Sequence, residues 1–198
     1  NGIWFPETDT HFESHVHENG DYQRDTFRAA ISYVKEPKIF YDIGAHVGLW
    51  SMMAIRAGFK EINAYEPNPK TFECLEKNLA GKSGKYKAHL YNYAVGTEDY
   101  REGAGSLSIV EHEKGNSGAV SLKVIINTCG TALVRDISNN DEIFKMIKMH
   151  NPKPHETLVK IDTEGMEAEC VLGMDKILYA LRPVVCVEQR TNDDALDI

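Results

Sequence analysis

Short apolar runs alternate with longer amphipathic stretches along most of this chain. Ile39 to Ile43 is β-branched and aromatic, the composition of a strand buried on both faces. Leu49 to Ala57 reads as a helix closed by Gly58, a residue suited to the left-handed turn at a helix end. Glu61 to Tyr65 predicts a second strand. Asn68 then caps a helix from Pro69 to Leu79, with Pro69 at its first position. Ala88 to Val95 predicts a third strand, ended by Gly96, and Asp141 to Met149 a helix, ended by Asn151 to Pro154. Leu158 to Ile161 is a fourth strand, Glu167 to Met174 a helix, and Val184 to Val187 a fifth strand. Alternation of this kind predicts an α/β fold built on a doubly wound, mostly parallel sheet. One stretch interrupts it. Ser106 to Val110 and Val120 to Ile126 flank the turn-rich Lys114-Gly115-Asn116-Ser117-Gly118, which predicts an inserted β-hairpin. Asn116-Ser117-Gly118 fits a loop closing over a substrate or an ordinary hairpin turn equally well.

The candidate chemistry sits where the first two strands end. Asp42-Ile43-Gly44-Ala45-His46-Val47-Gly48 carries an acid off the first strand into a glycine turn, and Glu66 ends the second strand. Gly44 and Gly48 suit a sharp turn and the close approach of a ligand. The free amides of the following helix point into that turn. A carboxylate at position 66 can accept hydrogen bonds from both ribose hydroxyls of a nucleoside. The glycine spacing departs from the G-x-G-x-x-G of dinucleotide sites, and Asp42 would repel a pyrophosphate while suiting an ammonium. S-adenosyl-L-methionine therefore fits better than a dinucleotide. His46 either hydrogen-bonds its own loop or stands beside the cofactor.

Composition narrows the class. With 198 residues the chain is long enough for one sizeable core, and 42% hydrophobic content is ordinary for a globular protein. A net charge of -8 argues against a nucleic-acid partner, and no apolar run has membrane-spanning length. Cys74, Cys129, Cys170 and Cys186 form no C-x-x-C pair and read as buried reduced thiols, which favours a cytoplasmic setting. His11, His15 and His17 read as surface histidines rather than a metal clamp, since no acid or cysteine completes a ligand set.

Taken together, Tyr41 to Gly48, Tyr65-Glu66-Pro67-Asn68, Asn92-Tyr93-Ala94-Val95-Gly96, Val159 to Glu167, Arg182-Pro183 and Val187-Glu188-Gln189 resemble the FkbM family of S-adenosylmethionine-dependent methyltransferases. The likeness runs from about Ile39 to Gln189 in the family's order. The Lys160-Ile161-Asp162-Thr163-Glu164-Gly165 element is its most distinctive part, and the amino-terminal region looks like that of phage and environmental members. The resemblance implies a class I methyltransferase fold, Rossmann-like, over residues 39–198, preceded by a helical and extended cap over residues 1–38. It also implies cofactor roles. Asp42, Gly44, Ala45, His46 and Gly48 would surround the methionine part, Glu66 would hold the ribose with Asn68 nearby, and Asn92, Tyr93 and Ala94 would flank the adenine. Class I enzymes end in an antiparallel hairpin after the fifth strand. Here only about ten residues follow Glu188, so the expectation is a fragment, or an inserted hairpin that covers that edge.

A methyl group on sulfonium needs an aligned nucleophile, and a hydroxyl nucleophile also needs a base. Asp162 and Glu164, at the tip of the fourth strand, are the candidate catalytic residues, with Glu188 at the tip of the fifth. Together they could serve as a base or hold a divalent metal, while Glu164 and Glu167 could instead cap the helix that follows. No metal is expected. The reading is O-methylation of a small-molecule or glycan hydroxyl. N-methylation and a non-catalytic S-adenosylmethionine-binding domain are the alternatives.

Overall fold

The computed structural model describes residues 2–7, 9, 14, 16, 22–80, 84–97, 106–111, 120–123 and 130–188. The elements run α1 (Arg24–Ile31), β1 (Ile39–Ile43), α2 (Leu49–Ala57), β2 (Glu61–Tyr65), α3 (Pro69–Leu79), β3 (Lys87–Tyr91), β4 (Ala94–Val95), β5 (Ser106–Glu111), β6 (Val120–Lys123), β7 (Gly130–Arg135), α4 (Asp141–His150), β8 (Thr157–Ile161), α5 (Glu167–Leu172), α6 (Asp175–Leu181) and β9 (Val184–Val187). The main sheet has five parallel strands in the order β3-β2-β1-β8-β9. Every residue of β1, β2 and β8 is buried, as an inner strand covered on both faces must be.

Alternation along β1 sends its side chains to two separate cores. Ile39, Tyr41 and Ile43 pack with Tyr65, Val159 and Ile161 under α4 and α6, which contribute Ile143, Met146, Ile177 and Leu181. Phe40 packs on the other side with Ile62 and Leu158 under α1 and α2, where Phe27 meets Trp50 edge-on at 5.3 Å between ring centres. Each such large side chain contributes about 1.5–3 kcal/mol by leaving water. The amino-terminal segment is tied down elsewhere: the Asn78 side chain accepts from the Trp4 amide at 2.8 Å and donates to its carbonyl at 2.9 Å.

Three expectations need correction. The third strand does not run unbroken from Ala88 to Val95. It stops at Tyr91, and Asn92 turns its amide onto the carbonyls of Glu66 and Pro67 at 2.8 and 3.2 Å, so the chain leaves the main sheet there. The helix expected to reach Met174 ends at Leu172. Gly173 lies so close to Gly96 that a Cβ would fall 2.1 Å from its carbonyl oxygen, and a separate helix, α6, follows. The hairpin of β5 and β6 forms as expected, but β7 was not anticipated. It pairs antiparallel with β5 and parallel with β4, giving a second sheet ordered β4-β7-β5-β6. That sheet does not cover β9, whose partner among the described residues is β8 alone. No described helix is long and apolar enough to cross a membrane. Cys74, Cys170 and Cys186 are free thiols, the first two buried. Cys129, the histidines at 11, 15 and 17, Asn116-Ser117-Gly118 and Gln189 lie outside the described residues.

Candidate functional site

The main pocket opens at the carboxyl ends of β1, β2 and β8, the edge where a parallel sheet presents its ligand crevice. Its floor is the turn after β1. Gly44 has φ +75°, and a Cβ there would lie 1.9 Å from the Asp162 carbonyl oxygen. Glycine is therefore what lets the tips of β1 and β8 meet. The amides of Gly44 and Ala45 both donate to the Tyr65 carbonyl, at 3.0 and 2.9 Å. His46 follows in the left-handed region, at φ 52°.

Glu66 joins this turn to the one after β2. Its Oε2 accepts from the His46 amide at 2.8 Å, and its Oε1 from the Asn68 amide at 2.8 Å and Thr71 Oγ1 at 2.9 Å. Burial pushes its carboxyl pKa up, and those three hydrogen bonds hold it back only in part. Asn68 caps α3 by accepting from the Lys70 amide at 3.1 Å and also faces the pocket.

On the far wall stands the loop after β8. Glu167 Oε1 accepts from the Thr163 amide, Thr163 Oγ1 and the Gly165 amide at 3.0, 3.1 and 3.2 Å, so Glu167 organises the loop. Glu164, at φ 59°, is left facing the pocket with Asp162. The carboxylates of Asp162, Glu164 and Glu188 each place an oxygen within 4.8 Å of the others. Hydrogen bonding to Asp162, then burial, pushes the Glu188 carboxyl up to about 7.

Of the expected cofactor residues, Gly44, Ala45, His46, Glu66, Asn68 and Ala94 line the pocket, as do Asp162 and Glu164. Asp42, Gly48, Asn92 and Tyr93 do not. Asp42 is wholly buried, accepting from Ser51 Oγ at 2.6 Å, and the ammonium it meets is that of Lys160, at 3.5 Å. Gly48 makes room for α3 instead of a ligand, because a Cβ there would fall 2.6 Å from Leu75 Cδ1. Asn92 braces the Glu66-Pro67 loop, and Tyr93 packs edge-on to Tyr65 at 5.6 Å between ring centres.

Several pocket residues were given no role by the sequence, Tyr22 and Lys160 among them. Tyr22 comes from the amino-terminal segment, with no motif to mark it. Lys160 did leave a signal: it is the one charge inside the run Leu158-Val159-Lys160-Ile161, and a charge in an inner strand has to be paired. It is 5% exposed, donates to the Gly44 carbonyl at 2.6 Å and lies 3.5 Å from Asp162. Burial works to lower its pKa, but Asp162 and Asp42 outweigh it and hold the ammonium above the usual lysine value.

Residues 42–197 match the family model described as the methyltransferase FkbM domain. The hexuronic acid methyltransferase AglP of Haloferax volcanii is 24% identical over 177 residues, covering 89% of this chain. The chain spans 66% of that relative's length. A solved structure of a candidate RNA methyltransferase, PH1948 from Pyrococcus horikoshii, shares 29% identity over 33% of this chain and 34% of its own, with a TM-score of 0.29. The family match takes in the turn after β1, the Glu66 loop and the β8 tip alike, and the chain belongs to the methyltransferase FkbM domain family.

Proposed function

We propose that the main pocket binds S-adenosylmethionine and that the chain transfers its methyl group to a hydroxyl of a glycan or small molecule. The observation that carries this reading is Glu66. A buried carboxylate holds the turns after β1 and β2 together and still faces the pocket, where it can accept from ribose hydroxyls. Gly44, Ala45 and His46 would lie along the methionine part, and Asn68 and Ala94 toward the nucleoside. The bound cofactor supplies an electrophilic methyl group. Asp162 lies across the pocket from Glu66 and would accept the proton of the attacking hydroxyl. Glu188 stands beside Asp162 and, when ionised, would offer that proton a second resting place. Glu164 would orient the acceptor. The name of AglP, a hexuronic acid methyltransferase, supports a glycan acceptor.

The test joins binding to turnover. Titration calorimetry should detect S-adenosylhomocysteine binding, and labelled methyl groups should pass to some member of a panel of sugars and hydroxylated metabolites. Asp162→Asn should keep cofactor affinity and lower turnover by on the order of a hundredfold, the range for a lost general base. No binding of S-adenosylhomocysteine by the folded protein would overturn the reading. Near-normal turnover of Asp162→Asn would remove Asp162 from the chemistry.

A further inference from the structure

Among the described residues the main pocket is lined by three carboxylates against one lysine and one histidine. Glu66, Asp162 and Glu164 line it, and its one lysine, Lys160, is committed to Gly44, Asp42 and Asp162. A ligand that carries its own carboxylate must find its counter-charge elsewhere. A second hollow adjoins the pocket across β4. Ala94 and Val95 of β4 line the pocket, and their register partners on β7, Val134 and Arg135, line the hollow.

Arg135 is exposed in that hollow. Its guanidinium lies over the Tyr93 ring, 4.9 Å from the centre, and its side chain has no hydrogen-bond or ion-pair partner among the described residues. A cation–π contact of this kind uses none of the five N–H donors. Two carboxamides line the same hollow. The Asn139 oxygen accepts from Lys176 Nζ at 2.6 Å, and the Asn140 oxygen accepts from the Glu142 and Ile143 amides at 3.0 and 3.3 Å. With both oxygens occupied, each side chain has its nitrogen left to donate. Asp136 is the one carboxylate of the lining, and it accepts from the Ser138 amide at 2.7 Å. Leu133, 48% exposed at the same hollow, offers an apolar surface to the C–H face of a sugar ring.

We propose that this hollow is an acceptor subsite for a carboxylated sugar, with Arg135 gripping the carboxylate through two parallel hydrogen bonds. The planar fork matches a carboxylate better than a lysine would. The subsite rests on the reading of the chain as a glycan methyltransferase. It makes Arg135 a specificity-determining residue outside the cofactor pocket.

The experiment uses the full chain saturated with S-adenosylhomocysteine and titrates it with methyl glucuronide, methyl glucoside and glucose 6-phosphate, followed by ligand-observed NMR. The glucuronide should bind at least tenfold more tightly than the glucoside. Arg135→Gln should erase that difference while leaving S-adenosylhomocysteine affinity unchanged, and Arg135→Lys should restore only part of it. A wild-type protein that binds S-adenosylhomocysteine but does not distinguish the two glycosides overturns the subsite. So does an Arg135→Gln protein that keeps the preference. Tighter binding of the phosphate than of the glucuronide through Arg135 overturns the assignment to carboxylates. Failure to bind S-adenosylhomocysteine at all overturns the cofactor reading, and the subsite falls with it.

Discussion

Lys160 donates to the Gly44 carbonyl across 2.6 Å, tying the interior of β8 to the turn that follows β1. Register explains how it can. Lys160 stands opposite Asp42 in the parallel pair, so its side chain shares Asp42's face of the sheet and reaches on to the strand tips. Lys160→Met would leave Asp42 and Asp162 facing each other without the cation. Removing one partner of a buried ion pair costs about 3–5 kcal/mol, and denaturant unfolding at neutral pH should show a loss of that order. The loss should shrink in acid, where Asp42 can take up a proton. A loss below about 1 kcal/mol at neutral pH would mean that the ammonium does not hold these strands together.

Glu66 has three hydrogen bonds to lose before any cofactor is considered. Glu66→Ala should therefore lower stability as well as weaken S-adenosylhomocysteine binding, the latter by about 1–3 kcal/mol, the range for hydrogen bonds to a charged group. Glu66→Gln keeps one acceptor oxygen and should fall between. Calorimetry checks the affinity and thermal unfolding the stability. Wild-type affinity in a folded Glu66→Ala protein would take Glu66 out of the cofactor site.

Gly44→Val faces two separate penalties. Its φ of +75° would strain a β-branched residue by about 1–3 kcal/mol. Its Cβ would also collide with the Asp162 carbonyl, a backbone atom that cannot swing away. The variant should unfold at a lower temperature and gain no thermal stability from S-adenosylhomocysteine. A ligand-induced rise in Tm equal to that of wild type would show that the turn tolerates the displacement.

The raised Glu188 carboxyl predicts a pH dependence with a definite sign. The Glu188 carboxyl is raised from 4.5 to about 7 in the folded state. Its contribution to stability is present below pH 4.5 and is lost as the pH rises through 7. Glu188→Gln cannot ionise, so it should escape that loss and show a flatter stability profile between those limits. Denaturation midpoints measured from pH 4 to pH 8 read the difference. Parallel profiles for the two proteins would mean that Glu188 titrates as an ordinary carboxylate.

Local chemistry carried much of this protein in plain sight. The order of strands and helices was legible because each signal acts over a few residues: apolar runs, Asn68 before Pro69, Gly58 after a helix. The meeting of Gly44, Glu66 and Asp162 at one edge was legible too, since parallel strands bring all their carboxyl ends together. Which way side chains face within that edge was not. Asp42 looked like a ligand-binding acid, but alternation turns it to the face covered by α2, where Ser51 and Lys160 already meet it. Lys160 showed only as an odd charge in an apolar strand until register set it beside Asp42. Asn92 and Tyr93 looked like strand, because nothing local reveals that the Glu66-Pro67 carbonyls draw Asn92 off the ladder. The pairing of β7 with β4 and Tyr22's place in the pocket join segments far apart in the chain. Long-range packing decides such contacts, and no local pattern of polar and apolar residues encodes them.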